Sequence, residues 1–326
     1  MAEILKEIFS SGTVLKRINA GAVIDTSENF YQYFYSFIED HENYNGNIFW
    51  LAVDTLEILS PVKLHPDYSM NERKIIFLLI FFVLNKEMQG STRYPLNTFF
   101  SDINTLGING LAQDNVFLTA QKYPELFTVN PSEIKPFVIN REYVFVQRTY
   151  INEELFFSLF HNRIKMTCQS WEQNNIQNSI KKTNEYLKNV KNLELHENQK
   201  NAVIKSIAQQ TLLITGGPGT GKTTIALSII FFLSEMGVLN PDNYSSEIAL
   251  TAPTGRAANR MFETLKDDFS PDNFPQSSTI HRLLGYSPIT GKFSYHENNP
   301  LDYKLIIIDE ASMIDLFLFT SLLKAV

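Results

Sequence analysis

Gly216-Gly217-Pro218-Gly219-Thr220-Gly221-Lys222-Thr223 is the stretch whose reading decides the fold. It fits the pattern G-x-x-x-x-G-K-[ST] at every position, the signature of a loop whose backbone cradles phosphate. The flanks supply the context such a loop needs. Leu212-Leu213-Ile214 before it predicts a short buried strand, and Ile225 to Leu233 after it predicts a buried helix. Glycines let backbone N–H groups converge on phosphate oxygens, and the start of the helix adds its positive dipole end. Lys222 would neutralise the terminal phosphates of a nucleotide, and the Thr223 hydroxyl would hold Mg²⁺.

A second motif adds chemistry. Leu305-Ile306-Ile307-Ile308 reads as a central parallel strand and ends in Asp309-Glu310. Carboxylates at the C-terminal end of such a strand face the crevice in which open α/β sheets bind ligands. Asp309 would hold Mg²⁺ through water, and Glu310 would orient or polarise an attacking water. The bland alternative is an acidic helix start capped by Ser312.

Composition bounds the rest. The chain has 326 residues, 44% of them apolar, with a formal charge of −7 and one cysteine, Cys168. That length suits two domains with ordinary cores. A lone cysteine allows no disulfide framework within the chain and points to a reducing, cytoplasmic setting. The histidines show no metal-ligand spacing with Cys168. The longest apolar run, Ile75 to Leu84, is half of what a membrane span requires and predicts a buried helix. The N-terminus has no signal-peptide pattern. The acidic balance disfavours a broad basic surface but leaves room for a local strand-binding groove.

Along the chain, helices are expected at Ser27 to Glu42, Asn47 to Leu59, Met70 to Glu87 and Asn152 to Arg163. Phe137-Val138-Ile139 and Tyr143-Val144-Phe145-Val146 predict a β-hairpin turning at Asn140-Arg141-Glu142. Gln169 to Lys191 is a long helix or a linker, and a domain boundary is placed there. From about residue 194 helices and strands alternate: a helix over Asn198 to Gln209, a strand over Ile248 to Thr251, a helix over Gly255 to Leu265. Such alternation argues a parallel α/β sheet.

Three further segments carry two readings each. Thr251-Ala252-Pro253-Thr254-Gly255-Arg256-Ala257-Ala258 leaves a strand and opens a helix, where hydroxyls and Arg256 can hold a backbone phosphate; it can equally be a plain loop capped by Thr254. Ser278 to Tyr286 mixes hydroxyl, imidazole, guanidinium and aromatic groups suited to bases and phosphates, or is simply a capped helix. Gln199 carries an amide that matches the two faces of adenine, or is a solvent-facing helix residue.

Together these segments resemble superfamily 1 DNA helicases of the RecD type, densely over residues 194–320. Gly216, Gly217, Pro218, Gly219, Thr220, Gly221, Lys222, Thr223 and Thr224 look like the Walker A motif, and Ile308 to Met313 like the Walker B motif. Gln199 resembles the adenine-reading Q motif. Thr251, Pro253, Thr254, Gly255 and Arg256 look like the DNA-contacting motif Ia. Thr279, His281 and Arg282 resemble a further DNA-side segment. The resemblance implies an α/β P-loop NTPase (RecA-like) parallel sheet with helices, incomplete in this chain, preceded by a mostly helical N-terminal domain with a small β-hairpin. It implies a helical partner-binding domain at residues 1–115, a hairpin and helical connector at 116–190, and the first part of the motor domain at 191–326. ATP and Mg²⁺ are the implied cofactors, with Glu310 and Lys222 as catalytic residues and Thr223 and Asp309 at the metal. The implied partners are single-stranded DNA from a duplex end and RecB-like and RecC-like subunits, with no membrane. The family's Gly-Asp-x-x-Gln sensor and later arginines have no counterpart after Arg282. The expectation is therefore that these 326 residues alone bind nucleotide weakly and do not unwind DNA.

Overall fold

Ser69 shows how local chemistry sets the first long helix. Its hydroxyl accepts from the Glu72 amide at 3.1 Å, while its own amide donates to the Glu72 carboxylate at 2.9 Å. This reciprocal capping starts a helix that then buries all of its middle turns. The computed structural model describes residues 46–60, 69–108, 115–166, 170–217 and 219–326. The expected helix at Ser27 to Glu42, Cys168 and Pro218 lie outside the described residues. The chain divides into two units, one ending at Glu153 and the other spanning Glu154–Val326.

In the first unit, helices α1 (Gly46–Leu59) and α2 (Met70–Met88) pack together. The run Ile75 to Leu84 is buried throughout, as its composition predicts. Arg73 is also buried and donates to the Ser60 carbonyl at 2.8 Å. Then come β1 (Tyr94–Pro95), α3 (Phe99–Thr105), α4 (Val116–Gln121), β2 (Phe127–Thr128), β3 (Phe137–Ile139) and β4 (Tyr143–Val146). The β3–β4 hairpin is present. Asn140 sets its turn by accepting from the amides of Glu142 and Tyr143 at 2.9 and 2.7 Å. It is the centre of a larger sheet of order β1-β4-β3-β2, in which β2 runs parallel to β3. The outer strands have two residues each, too short for any period to mark them in sequence.

Helix α5 (Gln147–Lys165) starts five residues before its expected onset. In the second unit, Phe156 and Phe160 of this helix stack at 5.4 Å and both meet Phe319. The stretch expected as a helix or linker, Gln169 to Lys191, carries helix α6 at Gln173–Lys191. Its buried residues Ser179, Ile180, Thr183 and Leu187 share one face. Tyr186 lies 4.1 Å from Phe231, and Lys182 pairs with Glu235 at 2.8 Å. Helices α7 (Glu197–Ala208), α8 (Lys222–Glu235) and α9 (Tyr244–Glu247) follow, then β5 (Ile248–Ala252), α10 (Gly255–Leu265), β6 (Gln276–Thr279), α11 (Ile280–Leu283), β7 (Leu305–Ile308) and α12 (Leu316–Ala325). The sheet is parallel, with order β6-β5-β7. The fold is therefore α/β with a parallel sheet, as the alternation indicates.

Three strand assignments need correction. Residues 211–217 form no strand. Leu213 is 62% exposed, while Leu212 and Ile214 are only half-buried against the core, so the segment is not the buried strand its composition suggests. The Leu305–Ile308 strand is not central: it is an edge of the described sheet, half-buried at all four residues, and the fully buried β5 takes the centre. Finally, β6 is a strand where no strand was expected. Its sequence Gln276-Ser277-Ser278-Thr279 is polar, and the Ser277 hydroxyl donates to the Ala258 carbonyl at 3.0 Å. Among the described residues no helix is long and apolar enough to cross a membrane.

The Asp268 side chain is 2% exposed and sits 2.8 Å from the Lys191 ammonium, which ties the end of α6 to the segment after α10. Lys191→Ala leaves this carboxylate buried without its cation, and is expected to lower the unfolding free energy by about 1–3 kcal/mol. Asp268 holds the Lys191 ammonium above the usual lysine range. The stabilisation is therefore complete below about pH 10, the unfolded lysine range, and fades as the pH rises through the higher folded value. Urea unfolding of parent and variant at neutral and strongly alkaline pH checks both statements; a gap that widens with alkalinity would contradict them.

Candidate functional site

The turn into α8 is built from glycine. Gly219 has φ +74° and Gly221 has φ +80°, values at which a side chain is strained. A Cβ at Gly216 would lie 2.6 Å from the Thr220 hydroxyl, and one at Gly221 would lie 2.9 Å from the Gln199 amide nitrogen. Gly221 thus requires glycine for its backbone conformation, and a Cβ at Gly216 would force the Thr220 side chain to move. The turn delivers the chain to Lys222 at the first position of a 14-residue helix, whose leading N–H groups have no partner within the helix. Such a turn fits the phosphate chain of a nucleotide, which N–H donors and one ammonium would hold.

Lys222 bends back over the loop and donates to the carbonyls of Gly216 and Gly217 at 2.9 and 3.0 Å. The Thr220 hydroxyl donates to the Gly217 carbonyl at 2.9 Å. Gln199 reaches across from α7: its amide nitrogen donates to the Thr220 carbonyl at 3.1 Å, and its oxygen accepts from the His196 amide at 2.9 Å. A cavity of about 480 Å³ opens between α7 and the loop, bordered by Asn198, Gln199, Asn201, residues 212–216, Thr220 and Lys222. Thr223 and Thr224 are half-buried on the first turn of α8.

Strand register places the acidic pair. Thr251 pairs with Ile308, and Ala252 pairs with Thr279. The Asp309 amide continues the ladder, donating to the Thr251 carbonyl at 2.9 Å. Asp309, Ala252 and Thr279 therefore stand in one row at the C-terminal end of the sheet. The Asp309 carboxylate accepts from the Glu310 amide at 2.9 Å. Glu310 has φ +51°, a left-handed conformation uncommon for a residue with a side chain. Its carboxylate is exposed.

On the same end, Thr254 caps α10 by accepting from the Ala257 amide at 3.3 Å, and Thr279 caps α11 by accepting from the Arg282 amide at 3.4 Å. Thr254, Gly255, Arg256, His281 and Arg282 are exposed and Pro253 is half-buried. The His281 ring rests edge-on against Tyr286 at 5.4 Å. Thr251 is a correction: it is fully buried and its hydroxyl donates to the Ser278 carbonyl at 2.9 Å, so it joins β5 to β6 and faces no ligand. Its β-branched side chain in a buried parallel strand was the signal for that. Arg260 is a residue the sequence reading passed over. It is exposed one turn after Arg256, opposite the buried Ala258, Met261 and Leu265 of amphipathic α10. The i, i+4 arginine spacing would have found it.

A glycine loop at a helix start and a parallel sheet whose strand β7 ends in an acidic pair are the features of the P-loop NTPase fold. Residues 199–326 match a family model described as an AAA domain. The chain is a relative of RecD subunits. It is 38% identical over 149 residues to the RecBCD enzyme subunit RecD of Buchnera aphidicola subsp. Schizaphis graminum, a match covering 43% of this chain and 24% of that protein. It is 26% identical over 292 residues to the same subunit of Buchnera aphidicola subsp. Acyrthosiphon pisum, covering 83% of this chain and 46% of that protein. It is also 36% identical over 132 residues to the ATP-dependent RecD2 DNA helicase of Deinococcus radiodurans, covering 40% of this chain and 16% of that protein. The chain thus spans less than half the length of each of these relatives.

Lys222→Ala removes the ammonium and leaves the glycine turn in place. Nucleotide affinity is expected to fall about 10- to 100-fold, the loss of one charge-assisted contact, with the far-ultraviolet dichroism unchanged. Titration calorimetry with ATP and Mg²⁺ checks this, and an unchanged affinity would mean the loop holds no phosphate.

Proposed function

We propose that this chain is the nucleotide-binding part of an ATP-dependent DNA helicase motor of the RecD type. The observation that supports it most is the glycine turn into α8, in a chain whose parallel strand β7 ends in Asp309 and Glu310. In this reading Gly216 to Thr224 hold the phosphates, Thr223 and Asp309 hold Mg²⁺, and Glu310 acts on water. Bound ATP would supply the phosphoryl group to be cleaved, and Mg²⁺ would neutralise its charge. Lys222 leaves the Gly216 and Gly217 carbonyls to meet the terminal phosphates. Glu310 orients the water and takes its proton. Thr254 and Arg256 on α10, with Thr279, His281 and Arg282 on the adjacent strand end, would carry a DNA strand by its backbone. Arg260 extends that face.

We assign the motor to a RecBCD-type helicase and nuclease acting at DNA ends, with RecB-like and RecC-like partners and a cytoplasmic location. The N-terminal part, residues 1–115, would be the partner-binding domain, 116–190 the connector, and 191–326 the first part of the motor. The similarity to a RecD subunit over 83% of the chain favours this setting, since it reaches well into the N-terminal half. A stand-alone helicase is the second reading, favoured by the match to RecD2. Co-purification of the whole protein with two larger subunits supports the first reading, and a fully active monomer supports the second.

In the whole protein, Glu310→Gln is expected to keep ATP and Mg²⁺ binding while DNA-stimulated hydrolysis falls by about 10²- to 10⁴-fold, the usual range for a lost general base. Parental turnover in that variant would remove Glu310 from the mechanism. Arg256→Ala is expected to weaken single-strand binding and to reduce the salt dependence of its logarithm by about 0.7, one phosphate contact. Binding measured across a salt series, with nucleotide affinity as the control, tests the DNA assignment separately from the ATP site.

A further inference from the structure

We propose that Tyr286 is a stacking platform for one base of a single DNA strand, held in place by Phe293 and His281. The proposal rests on the reading of Thr254, Arg256, Thr279, His281 and Arg282 as a DNA face, and adds a contact to a base where that reading has contacts to the backbone alone. Tyr286 is a large ring, 42% exposed, on a closely tied backbone. Gly285, with φ +65°, turns the chain out of α11 directly before it. The Tyr286 amide donates to the His281 carbonyl, and the Ser287 amide to the Lys292 carbonyl, both at 2.9 Å. On the returning chain, the Ser294 amide donates to the Leu284 carbonyl and its hydroxyl to the Gly285 carbonyl, both at 3.0 Å. A Cβ at Gly285 would lie 2.9 Å from the Ser294 side chain, so the two arms of this loop touch.

The rings form a small cluster with an anchored side and an open side. Phe293 is half-buried and packs on the core that α11 and α12 share. Tyr286 has no part in that core. It lies against Phe293 with centroids 5.3 Å apart and planes at 52°, and the exposed His281 ring meets it at 5.4 Å and 81°. Neither neighbour is parallel to Tyr286, so neither covers a ring face by stacking. The surrounding charge says what could. Between Asp272 and Glu297 the chain has no carboxylate side chain, and its lysine and arginine there, Lys292 and Arg282, are both exposed. Arg282 adjoins His281, and Lys292 stands opposite Ser287 across an antiparallel bridge. Open aromatic rings with cations nearby and no competing anion suit a polyanion that carries flat apolar groups, which is single-stranded nucleic acid. A duplex keeps its bases stacked inside, and an apolar protein surface would leave both cations unpaired.

Two probes separate a base contact from a backbone contact: a labelled oligothymidylate, and an abasic oligomer of the same length, each titrated into the full chain by fluorescence anisotropy. Tyr286→Ala is expected to weaken oligothymidylate about five- to thirtyfold and to leave the abasic oligomer unchanged. The salt dependence is expected to stay parental, because no phosphate contact is lost. Tyr286→Trp offers another ring face and is expected to keep parental affinity. Tyr286→Leu keeps an apolar side chain against Phe293 but has no ring, and is expected to lose affinity as Tyr286→Ala does. Arg256→Ala, the backbone control, is expected to weaken both oligomers alike. Parental binding of oligothymidylate by Tyr286→Ala or Tyr286→Leu would overturn the proposal and leave the DNA face standing. An equal loss for both oligomers in Tyr286→Ala would overturn it too, since the ring would then shape the loop without meeting a base. A parent chain that binds neither oligomer would remove the DNA-face reading itself, and this proposal with it.

Discussion

The chain can pass from residues 211–217 into α8 only through two left-handed residues, and this backbone constraint orders the rest of the second unit. Gly219 and Gly221 accept the turn because they have no Cβ. Once made, the turn places Lys222 at the head of a helix whose body is buried at Ile225, Leu227 to Ile230, Phe232 and Leu233, so the loop is anchored by packing as well as by its own few bonds. Helix α6 lies along that helix through Tyr186 and Phe231, and α7 reaches the loop through Gln199. A flexible, glycine-rich segment is thereby held between rigid elements, the arrangement a phosphate site needs if its donors are to be in place before the ligand arrives.

The parallel register places the acidic pair without any specialised packing. Because β5, β6 and β7 all end at one level, what leaves each strand meets what leaves its neighbour: Asp309 and Glu310 after β7, Pro253 to Arg256 after β5, Thr279 to Arg282 across from Ala252. Side by side stand an acidic pair suited to a cation and two capped helix starts flanked by arginines. In a chain of formal charge −7, Arg256 and Arg260 are exposed on α10 and Arg282 on α11. Such local cations, and not the overall charge, are what a nucleic-acid backbone would sense.

Much of this was legible in the sequence because strong local rules agree there. The glycine loop, its helix, the Asn140 hairpin turn and the buried helix over Ile75 to Leu84 each rest on a conformational or periodic demand that few residue types meet. The parts that were not legible depend on neighbours distant in sequence. Leu212-Leu213-Ile214 has the composition of a strand, but a strand is defined by its partner, and Leu213 is exposed. Gln276 to Thr279 lacks the composition of a strand, yet β5 pairs with it and its hydroxyls find carbonyls. Thr251 carried a plausible ligand-binding group, and burial assigned its hydroxyl to Ser278. The Gln199 amide, which suits adenine, also bonds the His196 and Thr220 backbone, contacts that no local pattern announces.

The central claim is that backbone N–H groups between Gly216 and Thr224 bind the phosphates of a nucleotide. Amide hydrogen exchange of the chain, with and without ATP and Mg²⁺, addresses it most directly. The account predicts that added nucleotide slows exchange at Gly219 to Thr224, with a smaller change in α7 around Gln199 and none in the first unit's sheet. Protection confined to other segments, or no change at these amides under conditions where nucleotide is bound, would contradict it.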